Sequence, residues 1–438
     1  MPNLHKANLR HSAYYGDLLH TAEDLYLQGG EAVREGLTLF DDNQENIYLG
    51  QMWAVKHSGE RHPDVIASAY PDNGIYLLNL RQHPRERIHW LDAALQAARR
   101  MKDRVSEGRH LGHLGVAYWS LGEIERSIEC HNQALAINEE IGNDRGKGRD
   151  WGNLGNAYAV LGNTRRALQY YEEALAIARR IEDQRSEAQT LGNLGSIYAG
   201  LGETRRAIEF YQQQLSIARK LGAREIEGGA LGNLGVAYAD LAETDRAIEL
   251  FEKQLSLARE IGDRDGESSA LGSLGLAYVA LGKHESALEF QKLALAICLE
   301  LGDRRGESRT LGNMGIAIEA LGDLPSAVDY YKQWFTIAKE IGDREGEARA
   351  LGNLGDACFL SGEPANAIKF YDEAVAIFQR ISDRGDEGKV LFNKSLALDE
   401  LGERVEAIEH ARKALEILTL IESPEAVDVR QKLSDWDR

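Results

Sequence analysis

Cysteine is nearly absent: Cys130, Cys298 and Cys358 are the three in 438 residues. An odd number without paired spacing argues against a disulfide framework and fits a reducing compartment. Basic charge is in deficit, with Lys+Arg at 51 against Asp+Glu at 70 and a formal net charge of -19. That sign excludes uniform attraction to nucleic-acid phosphates or an anionic lipid surface. Long apolar runs are missing too. None approaches the roughly 18 residues that span a bilayer, and Met-Pro-Asn-Leu-His-Lys-Ala-Asn at the start opens no signal-peptide stretch. The chain is therefore expected to be cytoplasmic, with no nucleic acid and no membrane among its partners.

What is present is repetition. A Leu-Gly pair begins at Leu111, Leu191, Leu231, Leu271, Leu311 and Leu351, a register of forty residues, with Trp151-Gly152 and Leu391-Phe392 in two further slots. No residue is inserted or lost across these eight units. A fixed period marks a solenoid in which each unit buries its apolar face against the next, giving a long surface rather than one pocket. Binding, not catalysis, is the expected work.

Within one unit, Leu231, Leu234, Gly235 and Tyr238 fall at helical spacings of three and four, and Ala247, Ile248, Phe251 and Leu255 line one face of a second helix. The unit reads as a helical hairpin. Gly162, Gly202, Gly282 and Gly322 follow the first helix, where a left-handed C-cap suits a residue without Cβ. Asp263, Asp303 and Asp343 after the second helix read as N-caps of the next unit. Gly115, Gly155, Gly195, Gly235, Gly275, Gly315 and Gly355 lie inside the first helix, where glycine costs about 1 kcal/mol against alanine. That loss is offset if two helices approach closely there, with Ala167, Ala207, Ala247, Ala287, Ala327 and Ala367 doing the same from the second helix.

Leu-Gly-x-x-Tyr, then Ala, then an aromatic residue resembles the tetratricopeptide repeat from Leu111 to about Ile421. The usual unit is about 34 residues with a proline near its end, whereas this one has forty and the chain holds seven prolines. Leu-Gly-Asn-Leu-Gly and Gly-Asp-Arg-x-Gly-Glu look like the LGN/Pins and kinesin-light-chain-like subclass. HEAT and armadillo arrays share the longer period but not the Gly and Tyr placement. The resemblance implies an all-α, right-handed superhelical solenoid of tandem helix-turn-helix units with helical caps. The expected divisions are an N-terminal helical cap at 1–70, a degenerate unit at 71–110, eight units at 111–421 and a closing helix at 422–438. Leu27-Gln-Gly-Gly-Glu-Ala-Val and Leu39-Phe-Asp-Asp also resemble the segment preceding the tetratricopeptide arm of bacterial STAND-type signalling ATPases.

Motifs for chemistry are thin. A phosphate loop needs G-x-x-x-x-G-K-[ST], and Gly142-Asn-Asp-Arg-Gly-Lys147 is one residue short. His110, His113, Cys130 and His131 fall in one unit, and His110 and His113 share a helical face. Sister units put Thr or Ala and then Asn in the first two slots, so these residues read as ordinary helix positions. No catalytic residue, cofactor or metal is expected.

In the family resembled, first helices line a concave groove. The slot two before each Leu-Gly is basic toward both ends, with Arg109, Arg149, Arg309, Arg349 and Lys389. Paired arginines suit carboxylates, so the expected ligand is a peptide or partner protein with acidic segments around a short apolar stretch. The same arginines are equally able to pair with Glu107, Glu307 or Glu347. Asn153, Asn193, Asn233, Asn313 and Asn353 form a ladder, with Asn156 nearby, that would hold a peptide backbone or serve inter-helix hydrogen bonds. Trp119 and Phe359 break a trend of small residues and read either as partner anchors or as packing. A sensor arm of a STAND-type system is the second reading, and an uncovered stack end would let the array self-associate.

Overall fold

The computed structural model describes residues 4–381, 383–421 and 423–436. They form 22 α-helices and no strand. The all-α, tandem-repeat expectation is met. Residues 1–3 of the expected N-terminal cap, and 422, 437 and 438 of the expected closing segment, lie outside the described residues. The chain divides into two compact units, 1–221 and 222–438.

The first unit opens with α1 (Leu4–Gln28), α2 (Glu31–Lys56), α3 (Arg61–Asn73), α4 (Ile75–Arg81) and α5 (Pro84–Met101). Leu19, Phe40, Ile47, Tyr70, Leu77 and Trp90 share one buried cluster. The Tyr70 hydroxyl donates to the Ser12 carbonyl at 2.7 Å. The Glu23 carboxylate accepts from the Tyr76 and Leu77 amides at 2.8 and 3.0 Å, so the first free donors of α4 are not left bare. Three hairpins complete this unit: α6 (Arg104–Ser120) with α7 (Ile124–Glu140), α8 (Asp144–Val160) with α9 (Thr164–Arg180), and α10 (Gln184–Gly200) with α11 (Thr204–Leu221).

The second unit repeats the hairpin in α12 (Arg224–Asp240) with α13 (Thr244–Ile261), α14 (Arg264–Ala280) with α15 (His284–Leu301), α16 (Arg304–Ala320) with α17 (Leu324–Ile341), α18 (Arg344–Leu360) with α19 (Pro364–Ile381), and α20 (Arg384–Glu400) with α21 (Arg404–Leu420). Helix α22 (Ala426–Trp436) packs Val429 and Leu433 on Leu391, Ala414 and Leu418.

The Gly-Asp-Arg-x-Gly-Glu loops work through local chemistry. Asp263 and Asp343 accept the amides of Gly266 and Gly346 at 2.9 and 3.0 Å, capping α14 and α18. Arg304 at the head of α16 holds Glu307 at 2.7 Å, and Arg344 at the head of α18 holds Glu347 at 2.6 Å. Within each hairpin the turn residue has positive φ, as at Gly202 (75°) and Gly322 (86°), and the Glu203 amide returns to the Tyr198 carbonyl. Ala242 adopts the same conformation at φ 59°.

The inner glycines have a specific tenant. A Cβ on Gly155 would meet the Tyr171 ring at 2.6 Å, and one on Gly355 would meet Tyr371 at 2.5 Å. His131 sits against Gly115, Tyr211 against Gly195, Phe251 against Gly235, Gln291 against Gly275 and Tyr331 against Gly315. Each tenant lies sixteen residues on, in the second helix. In the last hairpin both members change: Ser395 replaces the glycine, Ala411 replaces the large side chain, and both are fully buried.

Two alanine substitutions three residues apart separate packing from propensity. Beyond its own helix, no atom of the described residues lies within 4 Å of a Cβ built on Gly152, so Gly152→Ala should stabilise by about 0.4–1 kcal/mol. Gly155→Ala gains the same propensity but overpacks against Tyr171, an effect of about 1–3 kcal/mol that should leave it less stable than wild type. Urea midpoints at constant slope measure both, and shifts of the same sign would refute the close-approach explanation.

Candidate functional site

In residues 222–438, three successive first helices, α16, α18 and α20, border a cleft of about 810 Å³. Their common register places Arg309 and Asn313, Arg349 and Asn353, and Lys389 and Asn393 along it. Trp334 from α17 and Phe378 from α19 supply apolar surface, joined by Ile316 and Val390. A Cβ on Gly312 would meet the Trp334 ring at 2.8 Å, so that glycine is the seat of the indole.

The basic side chains are not equivalent. Arg349 donates to Asp386 at 2.7 Å and pairs with Glu345 at 2.9 Å. Lys389 lies 3.2 Å from Glu425 and 3.8 Å from Asp386. Arg305 and Arg309 are exposed and have no ion pair or side-chain hydrogen bond among the described residues. The glutamates that sequence offered as alternative partners are held elsewhere, Glu107 by Arg99 and Arg104, Glu307 by Arg304 and Glu347 by Arg344. In residues 1–221, Arg109 pairs with Asp72 at 2.8 Å, and Arg149 stands close enough to Asp72 to favour its ionised form.

The asparagine ladder divides as well. Asn393 donates to Asp356 at 2.9 Å, and Tyr371 donates to the same oxygen at 2.7 Å. Asn193 and Tyr171 make the same two bonds to Asn156, at 3.1 and 2.6 Å. These are inter-helix ties. Asn313 and Asn353 make no side-chain hydrogen bond among the described residues and face the cleft. Asn153 and Asn233 are half-buried, as is Trp119 on α6. Phe359 packs against the cluster of Ala367, Tyr371 and Phe378 and does not line the cleft.

Sequence reasoning passed over Trp334 and Arg305. A signal for Trp334 existed: the slot is Ala134, Ala174, Gln214, Gln254, Ala294, Ala374 and Ala414 in sister units, so one indole stands among small or amide side chains. Arg305 carried none, because its slot in the first turn of the first helix varies freely, from Val105 and Arg145 to Asp265 and Gly385.

The histidines part company. His131 lies against Gly115 with Nδ1 3.3 Å from Asp150, as a core residue. His110 and His113 instead meet Asp72 of α3, and one ligating atom from each of the three lies within 4.8 Å of the others. Burial raises the Asp72 carboxyl to about 6 against the pull of Arg109 and Arg149. Burial also lowers His110 to about 4 and, with Arg149 adding to it, His113 to about 3.

A family model described as tetratricopeptide repeat matches residues 151–220, 227–300, 306–380 and 346–419, and a second model of that description matches 111–141. No curated protein sequence matches the chain. Among solved structures, similarity extends to a Rap protein complexed with Competence and Sporulation Factor (TM-score 0.55, 15% identity, 86% of this chain and 100% of that one). The apo quorum sensor NprR from B. thuringiensis gives TM-score 0.54 and 15% identity, over 76% of this chain and 97% of that one. A Signal Transduction ATPase with Numerous Domains from Pyrococcus horikoshii, bearing a tetratricopeptide repeat sensor, gives 0.54 and 17%, over 84% of this chain and 64% of that one. At these identities the likeness is one of fold. Among the described residues no helix is long and apolar enough to cross a membrane.

Asp356 offers a check on the ladder. Desolvation raises its carboxyl above the usual range despite the bonds from Tyr371 and Asn393. A raised acid stabilises the fold fully below its unfolded value, near 3.8, and that contribution is lost as pH climbs through the folded value. Asn156 shows that an amide accepts the same two bonds. Asp356→Asn should therefore melt higher than wild type at pH 7, with the gap closing toward pH 4; a lower melting temperature at pH 7 would contradict this account.

Proposed function

Because the chain belongs to the tetratricopeptide repeat family, we propose that it acts by binding rather than catalysis, holding a peptide segment of a partner in the cleft bordered by α16, α18 and α20. The observation that carries this reading is the division of labour among equivalent slots. Arg349, Lys389 and Asn393 have protein partners, whereas the side chains of Arg305, Arg309, Asn313 and Asn353 face the cleft without one among the described residues. An extended peptide fits this set: its backbone amides meet Asn313 and Asn353, each offering a donor and an acceptor. An apolar side chain lies on Trp334, and a carboxylate reaches Arg305 and Arg309. This narrows the expected acidic recognition to one end of the cleft. The Rap protein complexed with Competence and Sporulation Factor has a related fold, which is in keeping with a binding role. Three free cysteines suit a cytoplasmic, reducing setting.

A second reading, a sensor arm serving a signalling ATPase, draws on the shared fold with the Pyrococcus horikoshii protein. It differs in the consequence of binding, since the arm would have to change the state of an ATPase module.

Selection of random peptides on the full chain tests the cleft. Enriched peptides should combine an acidic group with a nearby apolar residue and bind more weakly as salt rises. Arg305→Ala with Arg309→Ala should weaken them by about 10- to 100-fold, the equivalent of about 1.5–3 kcal/mol for hydrogen bonds to charged groups. Trp334→Ala should weaken them without altering the salt dependence. Undiminished affinity in both variants, with helicity intact by circular dichroism, would overturn the assignment.

A further inference from the structure

We propose that Asp72, His110 and His113 form a binding site for a zinc-class divalent transition-metal ion that ties α3 to α6. The site lies wholly in residues 1–221 and stands apart from the cleft reading.

The geometry is that of a ligand set rather than a hydrogen-bonded triad. Asp72 Oδ1 lies 3.7 Å from His110 Nδ1 and 3.7 Å from His113 Nδ1. Both separations exceed hydrogen-bond length. Asp72 Oδ1 and His110 Nδ1 are buried atoms with no hydrogen-bond partner among the described residues, and His110 is fully buried. An orphaned buried acceptor costs about 1–3 kcal/mol, and two facing one another across a gap compound the loss. A metal centre relieves both. Tetrahedral bonds of about 2.0–2.1 Å place neighbouring donor atoms about 3.4 Å apart, close to the two separations of 3.7 Å from Asp72, with the third pair within 4.8 Å.

The surroundings orient the donors as an outer shell would. The His110 Nε2 lies 2.9 Å from the buried Ser68 hydroxyl. With Nε2–H donating to that hydroxyl, the lone pair on Nδ1 is turned toward Asp72. Arg109 occupies the other carboxylate oxygen, Oδ2, at 2.8 Å and leaves Oδ1 free. His110 and His113 project from one face of α6 because they are three residues apart, while Asp72 arrives from α3.

The donor set selects the ion. Calcium and magnesium need oxygen-rich shells. Two imidazoles and one carboxylate suit zinc and its first-row neighbours, with a fourth position left for water.

Titration of the metal-stripped full chain with zinc alone, followed by calorimetry and thermal melting, tests the proposal. Wild type should take up one tight equivalent and melt higher with it. Asp72→Asn and His113→Gln should each lose more than the about 100-fold upper effect of an outer-shell change, and Ser68→Ala should bind about 10-fold more weakly at unchanged stoichiometry. Calcium and magnesium should not compete. Absence of a tight equivalent, or wild-type affinity in both ligand variants, would overturn the site. If those variants fail to fold, X-ray absorption of the zinc-loaded wild type decides: two imidazoles with only nitrogen and oxygen donors support it, and sulfur ligation or no imidazole defeats it.

Discussion

The rest of the structure hangs on a contact between the inner glycine of each first helix and the large side chain sixteen residues later. A helix ordinarily presents Cβ atoms that keep its neighbour at a distance. Removing one lets the ring of Tyr171 or Tyr371 lie against backbone, so the hairpin closes to a fixed separation and orientation. The loss of helix propensity, about 1 kcal/mol per glycine, is offset by burying a ring that is only 3% exposed at Tyr171 and 1% at Tyr371. The contact is reciprocal, and the chain changes both members together: where Ser395 replaces the glycine, Ala411 replaces the ring.

Fixed hairpin geometry has an electrostatic consequence. Arginines that open the first helices are held in place to reach the glutamate one turn on and, for Arg104, Arg264 and Arg304, the glutamate that ends the second helix. Those arginines are thereby neutralised on the surface, where each pair adds little to stability. Arg305 and Arg309, by contrast, line the cleft and have no ion pair among the described residues. They persist as exposed charges beside an indole and two free amides, a combination that stabilises nothing within the hairpins themselves.

Legibility tracked the range of the interaction. Caps, turn glycines and close-packing glycines are local or sit at a fixed offset, and each was readable from the forty-residue register. The positions facing the cleft were readable too, because Arg309, Arg349 and Lys389 share one slot. What distinguishes them was not, since Arg349 meets Asp386 from the following first helix and Arg309 meets no acid among the described residues. Likewise the periodic comparison grouped His110 with His131 because they share a unit. The fold separates them, sending His131 to Asp150 and His110 to Asp72 on α3, which lies outside the recurring pattern.

By itself the sequence determined an all-α tandem array, its helical hairpins and the family to which it belongs. Those properties repeat every forty residues and depend on contacts within a hairpin or between successive ones. Only the tertiary structure decided which equivalent side chains are spent on packing and pairing and which face a cleft, and which histidines converge on a carboxylate. Those outcomes depend on one neighbour at one place, where charge, size and burial differ from the repeat average, and periodicity carries no record of that difference.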